Sequence, residues 1–244
     1  MTNLQYTDTY YSNATTGLTS EQYTELKQKM LKSVYQNGGF YIGKYETGTE
    51  TARTSGNAST APEETPVIKQ NVYPYNYVTC RQAQTLASNM EHGDRTTSLI
   101  FGVQWDLTLK YLEKKGTAQA DLKTNSTSWG NYYNNAWNIT NENLKYAEYK
   151  NSSLQPWATE KTKTASEIIL LSTGASDSFS KMGIYDLAGN VYEWTLEYTS
   201  SIYGPSAFRG GYYDFTGSSY PASSRGVSSM ANATYDIGCR VALY

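Results

Sequence analysis

Residue types that carry nucleophilic, redox or metal chemistry are scarce in this chain. Its 244 residues include one histidine, His92, and two cysteines, Cys80 and Cys239. A non-haem-iron facial triad needs a pair of histidines with a carboxylate, which a single imidazole does not supply. His92 lies in a Glu-His-Gly-Asp turn, where we expect an exposed side chain. No G-x-S-x-G motif is present, although composition leaves a Ser-His-Asp arrangement open. The residues therefore favour a protein without enzymatic chemistry.

Charge and composition favour a binding protein that contacts no nucleic acid. Lys and Arg number 20 and Asp and Glu number 22, so the formal net charge is −2. Affinity for phosphate backbones comes mainly from clustered basic charge, which this balance does not offer. The 24 tyrosines far outnumber the five phenylalanines. Tyrosine buries apolar area, keeps a hydroxyl for hydrogen bonding and loses little side-chain freedom on contact, which suits interfaces.

The C-terminal stretch 212–236 concentrates these side chains. Tyr, Ser, Asn and Asp make up 13 of its 25 residues, and antibody paratopes use the same set for anchoring and adaptable hydrogen bonds. We therefore expect an exposed, substitution-tolerant binding face, although solvated turns can have a similar composition. The expected anchors are Tyr212, Tyr213, Tyr220 and Tyr235. The full set of predicted ligand-binding residues is Tyr212, Tyr213, Asp214, Phe215, Ser219, Tyr220, Ser223, Ser228, Asn232, Tyr235 and Asp236.

The apolar periodicity predicts a few helices and many short strands. Thr19 and Gln22 form a capping box before apolar residues at helical spacing, and Gly38 ends that helix. Two more helices are expected at 81–90 and 102–115. Strands are expected at 40–46, 77–80, 167–172, 192–198, 208–215 and 240–244. These elements predict an α+β fold with short strands, two or three helices and much irregular loop.

The predicted organisation is one domain at 18–244, preceded by a polar N-terminal arm at 1–17. The arm has neither a basic region nor an apolar core, so we expect no signal peptide. The longest aliphatic run, Ile168 to Leu171, is far too short to span a bilayer, so we expect no membrane insertion. Residues 48–66 carry Gly, Ser, Thr and Pro without apolar periodicity and predict a surface loop.

The segment Gly183–Trp194, G-I-Y-D-L-A-G-N-V-Y-E-W, is the most specific motif in the chain. It resembles the G-[LI]-Y-D-[ML]-x-G-N-V-[WY]-E-W signature of the formylglycine-generating-enzyme family, also called the sulfatase-modifying-factor family. Further family blocks are matched in order by Phe40–Thr47, Tyr77–Ala83, Phe101–Asp106, Arg209–Gly211, Arg225 and Gly238–Arg240. The resemblance spans 40–244 and implies a C-type-lectin-like fold in which the N- and C-terminal strands pair. It implies a framework of Arg209, Gly210, Gly211, Arg225, Gly238 and Arg240.

The catalytic residues of the family are missing from the positions that the resemblance assigns to them. Copper-dependent members carry two cysteines shortly after R-G-G, because thiolates bind Cu(I). Here the corresponding stretch 212–220 contains no cysteine. Cys80 and Cys239 replace aromatic residues of the family at core positions, so we expect small buried side chains. A disulfide between the two stays open. We predict no catalytic residues.

The resemblance also implies a structural calcium site within the signature. The carboxylates of Asp186 and Glu193 and the main-chain carbonyls of Gly189 and Val191 would bind the ion. This mixture of oxygen ligands suits Ca²⁺. The alternative is that Asp186 caps a turn and Glu193 forms a salt bridge.

Region 209–240 resembles the variable region of proteins that retroelements diversify in phages and bacteria. The resemblance implies a non-catalytic recognition or display protein, either a phage receptor-binding protein or a bacterial surface protein. Its expected ligand is a protein or glycan on another cell, and its expected location is the phage tail or the bacterial surface. The alternative function is a divergent enzyme of the same family that acts on a peptide or small molecule.

Overall fold

The computed structural model describes residues 17–90, 93–199, 201, 204–229 and 231–244. The predicted arm, apart from Gly17, and His92 therefore lie outside the described residues. The α-helices in these ranges are Ser20–Asn37 (α1), Cys80–Ser88 (α2), Gly102–Lys114 (α3) and Gln119–Lys123 (α4). None of these helices is both long and apolar enough to cross a membrane. Short 3₁₀ helices span Ser55–Ser59, Thr127–Trp129 and Asp177–Phe179.

The strands are short and form small separate sheets, which confirms the predicted α+β class. In chain order they are β1 Tyr41–Ile42, β2 Gly48–Thr49, β3 Tyr73–Pro74, β4 Thr97–Leu99, β5 Trp137–Asn138, β6 Tyr146–Lys150, β7 Ser153–Leu154, β8 Thr162–Lys163, β9 Ile169–Leu171, β10 Ser180–Lys181, β11 Ile184–Tyr185, β12 Tyr192–Tyr198, β13 Ser206–Arg209, β14 Arg225–Ser228, β15 Ile237–Cys239 and β16 Val241–Leu243.

Helix α1 begins and ends where the sequence predicts. The Thr19 hydroxyl accepts a hydrogen bond from the Gln22 main-chain N–H at 3.2 Å, and the Gln22 side-chain oxygen accepts one from the Thr19 N–H at 2.9 Å. Gly38 ends the helix with φ of 80°, a left-handed conformation that glycine adopts without steric cost. Its N–H donates to the Val34 carbonyl at 3.1 Å. Local sequence therefore accounts for both ends.

Helix α2 begins inside the strand that the sequence predicts at 77–80. The Thr79 hydroxyl accepts from the Gln82 N–H at 3.2 Å, and the Gln82 side-chain oxygen accepts from the Thr79 N–H at 2.9 Å. Tyr77 has φ of 52°, which a strand does not allow. The strand prediction is wrong because this second capping box starts a helix. Helices α2 and α3 confirm the other two predicted helices and contact β12.

The last strand of the chain lies in the middle of a three-stranded antiparallel sheet. Tyr41 of β1 lies opposite Leu243 of β16, and Leu99 of β4 lies opposite Val241. The C-terminal strand therefore pairs with the first strand, as the resemblance implies.

The four-stranded sheet carries the signature and both ends of region 209–240. Its order is β14-β13-β12-β15, with β12 and β15 parallel and the other neighbours antiparallel. The strand predicted at 208–215 ends at Arg209, because Gly210 follows with φ of 78° and turns the chain out of the sheet. Strands β14 and β15 lie outside the predicted strands. The loop 210–224 therefore begins and ends at this sheet.

Aromatic and thiol side chains fill the main hydrophobic core. Trp194 is fully buried, and its indole N–H donates to the Val78 carbonyl at 2.9 Å. Cys80 and Cys239 belong to the same core and are free thiols. Their burial confirms the prediction of small core side chains, and the disulfide that the sequence leaves open is not formed.

A buried charge network joins α3 to the four-stranded sheet. Arg209 is fully buried on β13, and its guanidinium bonds to Asp106 of α3 and lies 3.6 Å from Glu197 of β12. Glu197 also pairs with Arg225 of β14 at 2.8 Å. Burial raises the pKa of Glu197, and the two arginines oppose that rise. Arg209 and Arg225 therefore connect elements of the framework, as the resemblance implies.

Replacing Arg209 by methionine is expected to lower the free energy of unfolding by about 3–5 kcal/mol, because Glu197 stays buried with one partner fewer. The matched control Arg95→Met changes an exposed arginine, and its expected effect is at most about 0.5 kcal/mol. Urea unfolding followed by tryptophan fluorescence measures both. Equal effects of the two substitutions would contradict the framework role of Arg209.

Candidate binding face

Side chains from three parts of the chain form two neighbouring groups of aromatic rings, which we together call the aromatic face. It consists of Tyr149 on β6, Tyr212, Phe215 and Tyr220 on the loop 210–224, and Tyr235 before β15. Ring centroids are 5.1 Å apart for Tyr212 and Phe215, 5.0 Å for Phe215 and Tyr220, and 4.4 Å for Tyr149 and Tyr235. Aromatic rings attract one another at such separations. The structure thus brings together four of the predicted binding residues.

Tyr213 and Tyr192 form the buried floor of the aromatic face. The Tyr213 ring lies 6.1 Å from Tyr212 and 6.3 Å from Tyr235, so it joins the two parts of the face. The Tyr192 ring lies 4.5 Å from Tyr212 and 5.8 Å from Tyr220. Tyr213 is fully buried and Tyr192 nearly so. The prediction that Tyr213 is an exposed anchor is therefore wrong, because its ring packs in the core.

Two further predicted binding residues are also buried. Tyr212 keeps only 8% of its surface exposed, because its ring contacts Tyr192 and Phe215. Ser223 is 7% exposed, and its main-chain N–H donates to the carbonyl of Leu122 in α4 at 3.0 Å. Their burial contradicts the prediction of exposed, substitution-tolerant positions. The loop folds back onto α4 and β12 instead of extending into solvent.

The remaining serine and asparagine candidates are Ser219, Ser228 and Asn232, and they differ in their relation to the aromatic face. Ser219 is exposed in a turn next to Tyr220, where its hydroxyl accepts from Thr216 at 2.9 Å. Ser228 ends β14, and its hydroxyl accepts from the Asn232 side chain at 2.8 Å. Within the described residues, no hydrogen bond or ring contact joins Ser228 and Asn232 to the aromatic face. Ser219 therefore lies beside the face, whereas no described contact places Ser228 or Asn232 there.

Main-chain hydrogen bonds hold the loop 210–224 on the rest of the protein. The Tyr213 N–H donates to the carbonyl of Asn190 in the signature at 3.1 Å. The Phe215 carbonyl accepts from the Tyr133 N–H at 2.9 Å. These bonds use the backbone of the loop, so its path does not depend on the side chains that the face exposes.

Asp214 and Asp236 add two carboxylates to the aromatic face. Burial raises the pKa of Asp236, and burial together with the Asp236 charge raises the pKa of Asp214. Burial, followed by the Asp236 charge, raises the pKa of Tyr212 and of Tyr213. Both predicted aspartates therefore lie with the aromatic face and make it acidic.

Tyr149 and Tyr192 are members of this site that sequence reasoning misses. No local pattern marks Tyr149, because β6 lies in a stretch with little apolar periodicity. Tyr192 is part of the G-N-V-Y-E-W block, so its position next to the core could have been recognised from the signature. Both residues reach the face only through contacts between segments that are distant in sequence.

Buried ionisable groups occupy the place of the implied calcium site. The guanidinium of Arg240 donates to both carboxylate oxygens of Glu193 at 2.6 to 3.1 Å. Asp186 accepts from the Gly174 N–H at 2.7 Å, and burial raises its pKa to about 7. Burial and the nearby carboxylates raise the pKa of Glu46 well above its usual range. Arg240 is thus the cation of this cluster.

As placed, these residues do not fit a calcium ion. Both oxygens of Glu193 are bound by Arg240, so this carboxylate is not free to hold a cation. In the described ranges, no group of three or more His, Cys, Asp or Glu side chains is arranged to hold a metal. Gly189 has φ of 75°, and a side chain there would meet neighbouring backbone at 2.2 Å. The arrangement matches the salt-bridge alternative for Glu193.

The two thiols lack the environment of reactive cysteines. Burial raises the pKa of Cys80 and of Cys239 to about 12, whereas the thiolate is the nucleophile and the metal ligand. The Cys80 thiol donates to the Thr195 carbonyl at 3.6 Å. Burial therefore argues against thiolate chemistry at either position.

The family model of the sulfatase-modifying factor enzyme 1-like domain matches residues 11–244. The chain belongs to this family. The match confirms the resemblance carried by the signature and, with it, the C-type-lectin-like fold. The matched range begins at residue 11, within the predicted N-terminal arm at 1–17. The family contains enzymes, so membership alone does not assign or remove catalysis.

One solved structure that is similar to this family member is variable protein 1 of Treponema denticola. The two share 16% sequence identity at a TM-score of 0.33, over 90% of this chain and 68% of that chain. No curated protein matches the chain.

Alanine substitutions at Tyr213 and Tyr235 compare the stability contribution of a ring in the buried floor with that of a ring on the surface of the face. Tyr213→Ala removes a fully buried ring and is expected to cost about 3–5 kcal/mol of unfolding free energy. Tyr235→Ala removes a half-buried ring and is expected to cost about 1 kcal/mol. Urea unfolding measures both values. A loss at Tyr235 as large as that at Tyr213 would show that Tyr235 is also a core residue.

Calcium binding by the signature stays a prediction, which thermal unfolding tests. An ion that binds only the native state contributes about 2.7 kcal/mol at 100 times its dissociation constant, so calcium would raise the melting temperature. Asp186→Asn removes one ligand charge and is expected to abolish that increment. An unchanged melting temperature in excess chelator, with no calcium in the purified protein, would contradict the prediction and leave Arg240 as the cation of the cluster.

Proposed function

We propose that this family member is a non-catalytic recognition protein that binds its ligand through the aromatic face. The clustering of these rings carries the proposal. Tyr149 and Tyr235 form one pair at 4.4 Å, and the three rings of the loop 210–224 form a second group at 5.0 and 5.1 Å. The buried ring of Tyr213 joins the two groups at 6.1 and 6.3 Å. Aromatic side chains at the centre of an interface supply much of its binding energy at low entropic cost. Asp214 and Ser219 add adaptable hydrogen-bonding groups.

The way the loop is held supports a face whose side chains can vary. Phe215 is 41% exposed and Ser219 is exposed, while the backbone between them is bonded to other segments. Substitutions at exposed positions away from such bonds usually change stability little. This separation suits a retroelement-diversified protein that displays different side chains on one backbone. The proposed setting is a phage receptor-binding or bacterial surface protein, and the proposed ligand is a protein or glycan on another cell.

A divergent enzyme that acts on a peptide or small molecule is the second candidate function. Family membership favours it, as does a groove of about 530 Å³ bordered by residues 61–66 and α2. This groove shares no residue with the aromatic face or with the buried signature cluster. The buried thiols, with pKa values raised to about 12, argue against thiolate chemistry. Recognition through the aromatic face is therefore the better-supported function.

Randomising exposed and partly buried positions of the face and its edge tests the proposal. The library varies Asp214, Phe215, Ser219, Tyr220 and Tyr235 on yeast-displayed protein, with protease resistance as the measure of folding. Most variants are expected to fold, because the loop backbone is held by main-chain bonds. Selection against a single purified protein, such as lysozyme, is expected to yield binders in the micromolar range or tighter, about −8 kcal/mol of binding free energy.

A control library randomises the same number of buried positions. It varies Tyr192, Trp194, Tyr213, Ala222 and Ile237, and most of its members are expected to unfold. If the face library loses protease resistance as often as the control, the face is part of the core and the proposed function fails. Failure to select any binder from a folded face library would also contradict it.

A further inference from the structure

A second surface of the protein, away from the aromatic face, also exposes large apolar side chains. Within the described residues, nine large hydrophobic side chains are exposed, and six of them belong to α1, β1 and α3. These six are Leu31, Val34, Tyr35, Tyr41, Leu107 and Tyr111. Tyr35 keeps 92% of its surface exposed and Tyr41 keeps 75%, whereas Phe215 is the one member of the aromatic face among the nine. The exposed apolar side chains therefore lie mostly outside the aromatic face.

A groove of about 340 Å³ lies between the end of α1, β1 and α3. Its apolar walls are Phe40, Ile42, Leu107, Tyr111 and Ile184. A second groove of about 440 Å³, which includes Tyr41, meets the first at 38–40. A β-carbon at Gly38 or Gly39 would meet no atom within 4 Å, so the junction of the two grooves is open. Exposed apolar surface around an open groove is typical of a site that binds another molecule.

Lysine side chains border the first groove. The Lys115 Nζ lies 5.7 Å from the centroid of the Tyr111 ring. The Lys44 Nζ lies 5.5 Å from the centroid of the Tyr185 ring, which follows Ile184 in β11. Because Tyr111 and Ile184 are walls of the groove, these two lysines place positive charge at its edges.

The exposed face of α3 adds two more lysines. Leu107, Lys110, Tyr111 and Lys114 follow the i, i+3, i+4, i+7 spacing that places side chains on one face of a helix. Lys110 pairs with Glu113 at 2.5 Å. Within the described residues, no carboxylate lies within 4.0 Å of Lys44, Lys114 or Lys115. The border of the groove is therefore basic, although the formal net charge of the chain is −2.

We propose that the groove binds a segment of a partner protein that inserts apolar side chains and carries Asp or Glu on either side of them. The inference goes beyond the proposed function, because the groove shares no residue with the aromatic face. The apolar walls remove the inserted side chains from water. The lysines supply the charge that complements the flanking carboxylates.

Charge and shape distinguish this partner from other occupants of the groove. Two copies of the same basic surface would repel each other, which disfavours a second copy of the chain. Residues 1–16 carry one acidic side chain, Asp8, so their charge complements the lysines poorly. The concave shape favours an inserted peptide segment over a flat lipid surface.

Short peptides test the proposal without knowledge of the natural partner. The probe is the acetylated and amidated peptide Glu-Asp-Leu-Phe-Glu-Leu-Leu-Asp-Glu, titrated into the whole protein at low salt and followed by NMR. One control peptide replaces every Asp and Glu by Lys, and the other replaces every Leu and Phe by Ser. Saturable binding of the probe is expected, and each control is expected to bind at least about tenfold more weakly, because it lacks either the complementary charge or the apolar surface. Added salt is expected to weaken binding of the probe.

Variants locate the binding site. Leu107→Gln removes an apolar wall and Lys115→Glu reverses a charge at the border, and each is expected to weaken probe binding by at least about fivefold. The matched controls make the same changes at exposed residues outside the groove, Val227→Gln on β14 and Lys150→Glu at the end of β6. Both controls are expected to bind the probe as the wild type does. The melting temperature of each variant establishes folding, and substitutions at such exposed positions usually change stability little.

Several results would overturn the inference. They are equal binding of the acidic and basic peptides, no saturable binding of the probe, and unchanged binding by folded Leu107→Gln and Lys115→Glu variants. A peptide of residues 1–16 that binds more tightly than the probe would assign the groove to the chain itself. Self-association in sedimentation, or binding to phosphatidylserine vesicles, would assign it to a second copy or a membrane if Leu107→Gln abolished it. These results leave recognition through the aromatic face unaffected, because the randomised face library changes no residue of the groove.

Discussion

The guanidinium of Arg240 joins distant segments of the chain at one buried point. It binds Glu193 on β12 and donates to the carbonyls of Gly43, just after β1, and Tyr185, on β11, at 2.8 Å each. Arg240 itself lies between β15 and β16, so this contact connects the three-stranded terminal sheet with the four-stranded sheet. A buried charge is tolerated only when it is paired and its donors are satisfied. These segments must therefore assemble together.

The position of the aromatic face follows from the placement of β12. Tyr192 begins this strand and lies opposite Ile237 of β15, which brings Asp236 and Tyr235 beside it. Asn190, two residues before β12, holds the loop 210–224 through the Tyr213 N–H. The signature thus acts as the platform on which both parts of the face are built.

The tyrosines of region 209–240 differ in how far they are buried. Tyr213 and most of Tyr212 are buried, whereas Tyr220 and Tyr235 keep part of their surface in solvent. The buried rings support the exposed ones, so a change of surface side chain leaves the floor in place. In the proposed diversified protein, this division would limit variation to fewer positions than the composition of the region suggests.

Much of this protein is determined by signals that are local in its sequence. The capping box at Thr19, the β-prone run of β12 and the signature at Gly183–Trp194 each act within a few residues, so the first helix, the central strand and the family follow from sequence alone. Composition likewise favours a tyrosine-rich binding protein.

Tertiary structure decided which of these residues reach the surface and which charges meet. Tyr213 and Tyr235 are the same residue type in similarly irregular segments, yet the first is buried because its ring packs with Leu170 of β9 and Val191. Glu193 resembled a calcium ligand until Arg240, 47 residues away in sequence, proved to be its partner. Tyr149 joined the face from a strand that no pattern marked. Burial and charge pairing depend on contacts between distant segments, and neither composition nor periodicity predicts those contacts.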